Sequence, residues 1–230
     1  MSNNLNSSTV KEIIHGLGAD LCGIAGVASF DDAPEGHRPR DIYSECLSIV
    51  VFALRWPRGA VLSGHCIPYT FAKSIINQKC DFLTIDVANA LETEGANCVP
   101  LPPDSPYDYW DSLLLRGEGT LSMRHAALKA GLGVLGKNSL LINDRFGNMV
   151  QIGAVLLDIE LTPDQPATYV ACPEGCSICL ESCPQKALAN GTVSQKLCRP
   201  ISNVTNERGF VINRCNTCRT VCPSRFGIKK

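Results

Sequence analysis

Eight cysteines between residues 172 and 222 fall into two blocks with nearly the same ending. The first runs Cys172-x3-Cys176-x2-Cys179-x3-Cys183-Pro184, and the second is Cys198 followed by Cys215-x2-Cys218-x3-Cys222-Pro223. A cubane cluster needs four thiolates around its four irons, and closely spaced cysteines in a tight loop supply three of them from one side. The fourth has to come from elsewhere. In two-cluster ferredoxin arrangements the last cysteine of each block crosses to the other cluster, and the proline after it turns the chain away. That logic assigns Cys172, Cys176, Cys179 and Cys222 to one [4Fe–4S] cluster and Cys183, Cys198, Cys215 and Cys218 to a second. Zinc ribbons and a disulfide knot are the competing readings. Neither gives a reason for the third cysteine of each block or for the repeated Cys-x3-Cys-Pro ending. Two spacings are irregular: Cys172-x3-Cys176 where two residues are common, and the long gap from Cys198 to Cys215.

The chain has 230 residues and thirteen cysteines, with 45% hydrophobic and 19% charged residues. That balance suits an ordinary globular protein of two domains rather than a disordered one. A formal net charge of -1 gives no long-range pull toward nucleic acid or an acidic membrane. The first nine residues lack the basic flank and apolar stretch of a secretory signal, so a cytoplasmic location is expected. In a reducing cytosol, dense cysteine points to metal rather than to disulfides. The longest apolar stretch, from Leu47 to Leu54, is far too short to span a bilayer and suits a buried strand. Cys22, Cys46, Cys66, Cys80 and Cys98 are scattered and suit core positions.

Thr9-Val10-Lys11-Glu12 has the form of a capping box, which predicts a first helix ending at Gly16 and Gly18. Strands are expected over Leu21–Val27, Leu47–Leu54 and Ala96–Leu101. Between Tyr69 and Glu94 the spacing of Phe71, Ile75, Leu83, Val87, Ala90 and Leu91 predicts a long amphipathic helix. A further helix is expected over Ser122–Ala130. Asn138–Asn143 and Met149–Asp158 flank a turn, Asp144-Arg145-Phe146-Gly147, and together suggest a hairpin. After Thr162-Pro163-Asp164-Gln165-Pro166 the composition shifts to cysteine, proline and small residues. The domain boundary is placed there, giving residues 1–165 and 166–230.

Gly131-Leu132-Gly133-Val134-Leu135-Gly136 matches the dinucleotide fingerprint, and with Lys137 and Asn138 it falls one residue short of a phosphate loop. Those motifs need a strand before the glycines and a helix after them. Here the order is helix, glycines, strand, which favours a tight connection over a cofactor loop. The stretch Gly18–Ala25, the stretch from His125 through Gly136-Lys137-Asn138 to Ile142, and Gly153–Leu161 nevertheless resemble the epoxyqueuosine reductase and reductive dehalogenase superfamily, as do the cysteine blocks. The resemblance implies an α/β (α+β) fold class: a nitroreductase-like α/β domain followed by a small ferredoxin-like domain with two [4Fe–4S] clusters. It also implies a base-off cobalamin between the domains, and it places Gly133, Gly136, Lys137 and Asn138 at the cofactor. Epoxyqueuosine reductases continue past the second cluster into a helical-repeat region that helps bind tRNA, whereas this sequence ends at Lys230. Nucleic acid is therefore not expected as a partner.

A reductase needs a proton donor, and Tyr69, Tyr107, Tyr109 and His125 are the nearby titratable groups. No Ser-His-Asp, Cys-His or His-Glu-x-x-His arrangement points to hydrolysis. The expectation is an iron–sulfur oxidoreductase passing electrons through two clusters to a cofactor or small-molecule substrate pocket on the α/β domain. Its electron donor would be a redox partner protein, docked in part by Arg225, Lys229 and Lys230. The alternative is an electron-transfer or assembly protein that recognises a partner and binds no corrinoid.

Overall fold

The computed structural model describes residues 5–189 and 191–228, so Lys229 and Lys230 lie outside the described residues. Its centre is a four-stranded antiparallel sheet in the order Leu21–Gly26, Ser48–Arg55, Val150–Leu157, Cys98–Leu101. The second strand is buried almost end to end because both of its faces are covered. Alternation along it then sorts the side chains into two cores. Ile49, Val51 and Ala53 pack with Ala126, Ala127 and Ala130 at the helix Met123–Lys129. Val50 and Phe52 point the other way, against Val10 and Ile14 of the helix Ser7–Gly16 and Leu83, Val87 and Leu91 of the 28-residue helix Cys66–Thr93. Helices thus cover both faces of the sheet, consistent with the α/β class. Among the described residues no helix is long and apolar enough to cross a membrane.

Three local expectations are corrected. The first helix is capped by Asn6, whose side chain accepts from the Ser8 and Thr9 amides, and not by Thr9. The turn before Gly147 is real, since Asn143 and Gly147 exchange backbone hydrogen bonds of 2.9 Å. Its flanks do not pair with each other: Leu141–Ile142 pairs with Val134–Leu135, and Val150–Leu157 is claimed by the central sheet. Along the long helix, Phe71 and Ile75 face solvent, while Leu83, Val87 and Leu91 face the core.

Beyond the sheet, Asp164 fastens the chain back onto the first strand: its amide donates to the Ile24 carbonyl, its carboxylate accepts from the Ile24 amide, and it pairs with Lys11 at 2.5 Å. The remaining residues form short helices and two-stranded ladders, including the helix Gln195–Ser202 and the pair Asn203–Thr205 with Val211–Asn213. Gly147, at φ +62, lies so close to this segment that a Cβ there would sit 2.1 Å from the Ser224 carbonyl oxygen. Only glycine tolerates both that conformation and that approach.

Candidate metal centres

Two short helices, Ile178–Glu181 and Thr217–Thr220, repeat one arrangement. Each starts after a polar residue, Ser177 or Asn216, whose carbonyl accepts from the amide three residues on or the next one. Each carries the third cysteine of its block, Cys179 or Cys218, and leads into a Cys-Pro pair. Cys172, Cys176, Cys179 and Cys222 line one small cavity, together with Lys137, Asn138 and Ile142. The last of these four comes from the second block. Burial raises the pKa of the Cys222 thiol, the Ser224 amide works against it, and Cys172, Cys179 and Cys176 add to it. The other four gather likewise. Burial pushes Cys218 up to about 11, Arg219 opposes this, and Cys198, Cys215 and Cys183 reinforce it. Cys198 is raised by burial, lowered by Ser202, and raised again by Cys215 and Cys183.

Such a donor set suits a group that brings its own positive charge. Raised thiols hold their protons until a cation displaces them, so binding would release protons. Two main-chain amides already point at sulfur: Lys137 N–H at Cys172 Sγ, 3.5 Å, and Ala187 N–H at Cys183 Sγ, 3.3 Å. Bonds of this kind tune cluster potentials. Among the described residues no three His, Cys, Asp or Glu side chains close on a point that one ion could occupy. All thirteen cysteines are free, so no disulfide knot is present. Cys46 and Cys80 are buried core residues, with thiols pushed by burial up to about 11 and about 12.

The glycine segment has divided roles. A Cβ on Gly133 would come within 2.5 Å of the Ile142 carbonyl oxygen, and one on Gly136 within 2.5 Å of the Ile142 side chain. These two glycines allow the close ladder that follows the helix. Lys137 and Asn138 turn to the cysteine loops: Lys137 Nζ donates to the Cys176 carbonyl at 2.8 Å, and buried Asn138 donates to the Cys218 carbonyl at 3.2 Å. One dipeptide therefore holds both loops.

A cavity of about 830 Å³ opens between the α/β layers and residues 192–196. His125 and His37 stand on its wall with Arg116, Glu118 and Lys129. His125 Nδ1 lies 2.7 Å from the Ser122 hydroxyl, and His37 Nδ1 is 3.2 Å from the Gly119 carbonyl oxygen. Burial lowers the His125 pKa, and Arg124 and Lys129 lower it further. The cavity wall is clamped to the helix that carries Cys198. Gln195 exchanges hydrogen bonds with Gly117, and Arg199 stacks on Tyr107 and Trp110 at 5.1 and 5.0 Å, next to Cys198. Of the four proton-donor candidates, only His125 lines this cavity. Tyr69 is buried beside Trp56, Tyr107 is held by Arg199, and Tyr109 is exposed. Sequence reasoning missed His37, Arg116 and Glu118, which lie in a Pro-rich loop and a short hairpin with no pattern to mark them.

No protein-family model matches the chain. The epoxyqueuosine reductase of Staphylococcus aureus is 35% identical over 122 residues, 48% of this chain and 31% of that protein, and that of Vibrio cholerae is 38% identical over 117 residues, 31% of its length. The matched segment thus spans about a third of these relatives. The fold of the epoxyqueuosine reductase from Streptococcus thermophilus superposes with a TM-score of 0.64 over 96% of this chain and 66% of that one, at 18% identity. A reductive dehalogenase whose structure bears on B12-dependent dehalogenation gives 0.65 over 93% of this chain and 31% of that one, also at 18% identity. The chain is thus similar in sequence to epoxyqueuosine reductases over about half its length, and it shares the fold of epoxyqueuosine reductases and reductive dehalogenases. The likeness of fold extends over nearly the whole chain.

Proposed function

We propose that the chain is an iron–sulfur oxidoreductase of the epoxyqueuosine reductase type, with residues 166–230 as a ferredoxin-like domain. The observation that carries this reading is the sorting of eight cysteines into two fours, with Cys222 joining the first block. Cys172, Cys176, Cys179 and Cys222 would hold one [4Fe–4S] cluster, and Cys183, Cys198, Cys215 and Cys218 the other. Bound there, such clusters supply one-electron transfer, with electrons drawn from a redox partner protein. Lys137 and Asn138 fix the two loops against each other and keep an amide on the Cys172 sulfur. The cavity beside His125 is the pocket for a substrate or cofactor, and its 830 Å³ lies within the range of small-molecule sites, about 300–1,000 Å³. His125, kept neutral near pH 7, can relay a proton through Ser122 to a bound molecule.

A corrinoid held in this cavity would lie against His37, Glu118, His125 and Gln195, with the two imidazoles fixed at Nδ1 by main-chain carbonyls and by the Ser122 hydroxyl. It would supply cobalt-centred reduction. The test is to reconstitute the protein anaerobically with iron and sulfide, add hydroxocobalamin, and follow its spectrum and co-elution. A spectral change with corrinoid retained on the protein is expected, and it should weaken when Gln195→Ala loosens the cavity wall. If the clusters assemble and no corrinoid is retained, the corrinoid reading fails and an electron-transfer protein without corrinoid replaces it.

A further inference from the structure

The helix Cys66–Thr93 carries two apolar faces, and the fold uses one. Tyr69, Ala72, Cys80, Leu83, Val87 and Leu91 are buried against the rest of the molecule. On the other side Ile67, Phe71, Ile75, Gln78, Phe82 and Ile85 recur every three or four residues, forming one stripe. All six are exposed: Phe71 to 68%, Phe82 to 70%, Ile85 to 50%, Ile67 to 48% and Ile75 to 36%. Large contiguous apolar patches are rare on monomers and mark interaction sites.

The order of residues in the stripe says what fits it. Read forward it is Ile, Phe, Ile, Gln, Phe, Ile; read backward it is Ile, Phe, Gln, Ile, Phe, Ile. In a two-fold pair of antiparallel helices residue i meets j and j meets i, so a near-palindrome sets apolar residues against apolar ones along the stripe. With the axis near the middle of the stripe, Phe71 meets the second copy's Phe82, Ile67 meets its Ile85, and Ile75 meets its Gln78. We infer that a second copy of this chain covers the face, forming an antiparallel two-fold dimer through these helices.

The area supports a reversible pair. At about 1.5 Å per residue the stripe is roughly 27 Å long. Its five large side chains expose roughly 500 Å² per copy, taking about 150–250 Å² for a whole aromatic and less for an aliphatic side chain. Roughly 1,000 Å² for the pair stands at the lower bound of specific interfaces, so a dissociation constant in the micromolar range is expected.

Sedimentation velocity on the full chain tests this. The mass should rise from 24.8 kDa toward twice that value across the micromolar range. Phe71→Lys or Phe82→Glu should each weaken self-association by about tenfold or more, with circular dichroism and thermal melting unchanged because both side chains are mostly exposed. The double variant F71K/F82E sets each lysine against the other copy's glutamate and should recover association relative to either single variant. A chain that stays monomeric at 100 µM, on the order of a hundred times a micromolar constant, overturns the inference and leaves the face to a different protein. So does a dimer indifferent to Phe82→Glu, or a double variant no tighter than the singles.

Discussion

Around His125 the charges are set against protonation. The ring is partly buried beside Arg124 and Lys129, and Asp32 pulls only weakly the other way, so the folded protein holds the imidazole pKa below its ordinary value. An unfolded histidine titrates near 6.5. The folded state therefore prefers the neutral ring, and the stability this contributes is fully present above about pH 6.5. It is lost as the pH falls through the lowered folded value. Thermal melting measured at descending pH should show wild type losing stability below about 6.5 faster than His125→Gln. Parallel curves for the two proteins would contradict the assignment. The same neutral ring is what a proton relay near pH 7 requires. His125 was identifiable as a candidate from sequence, but its partner Ser122 was not, because a hydroxyl three residues upstream carries no signal until the helix fixes their separation at 2.7 Å.

Elements built on long apolar runs were legible, and elements defined by what covers them were not. The strand Ser48–Arg55 follows from seven successive apolar or small residues, and its place at the centre follows from having both faces buried. Phe52 is fully buried and lies opposite Gly153 on the next strand, where a Cβ would come within 2.6 Å of its ring. The ring thus fills space that the glycine leaves open. Phe52→Ala should lower unfolding free energy in urea by about 3–5 kcal/mol; a loss under 1 kcal/mol would mean that the sheet is not packed as described. The long helix shows the opposite limit. Helical spacing identified it, yet Phe71 and Leu83 both fit an apolar period, and periodicity cannot tell which of two faces the fold will cover. The expected hairpin around Gly147 failed for a related reason. A turn signal fixes a reversal of the chain, while the partner of the strand Val150–Leu157 is decided by a sheet assembled from residues a hundred positions away.

At the scale of the whole molecule, two assemblies meet: a sheet with helices on both faces, and a cysteine-bearing segment held to it by Lys137, Asn138, Gly147 and Arg199. The eight cysteines were visible in the sequence because ligand spacing is local within each block. The cavity was not, because its wall joins residues near 30, near 120 and near 195 that share no spacing. The grouping of Cys222 with the first block is a long-range fact, anticipated only through the ferredoxin pattern. Above all, these two groups of four are proposed each to hold a cubane cluster. Iron and acid-labile sulfide, assayed on the anaerobically reconstituted chain, measure it directly. Two occupied sites give about eight of each per chain, four for each [4Fe–4S] cluster, whereas zinc in place of iron, or iron without sulfide, would contradict the cluster assignment.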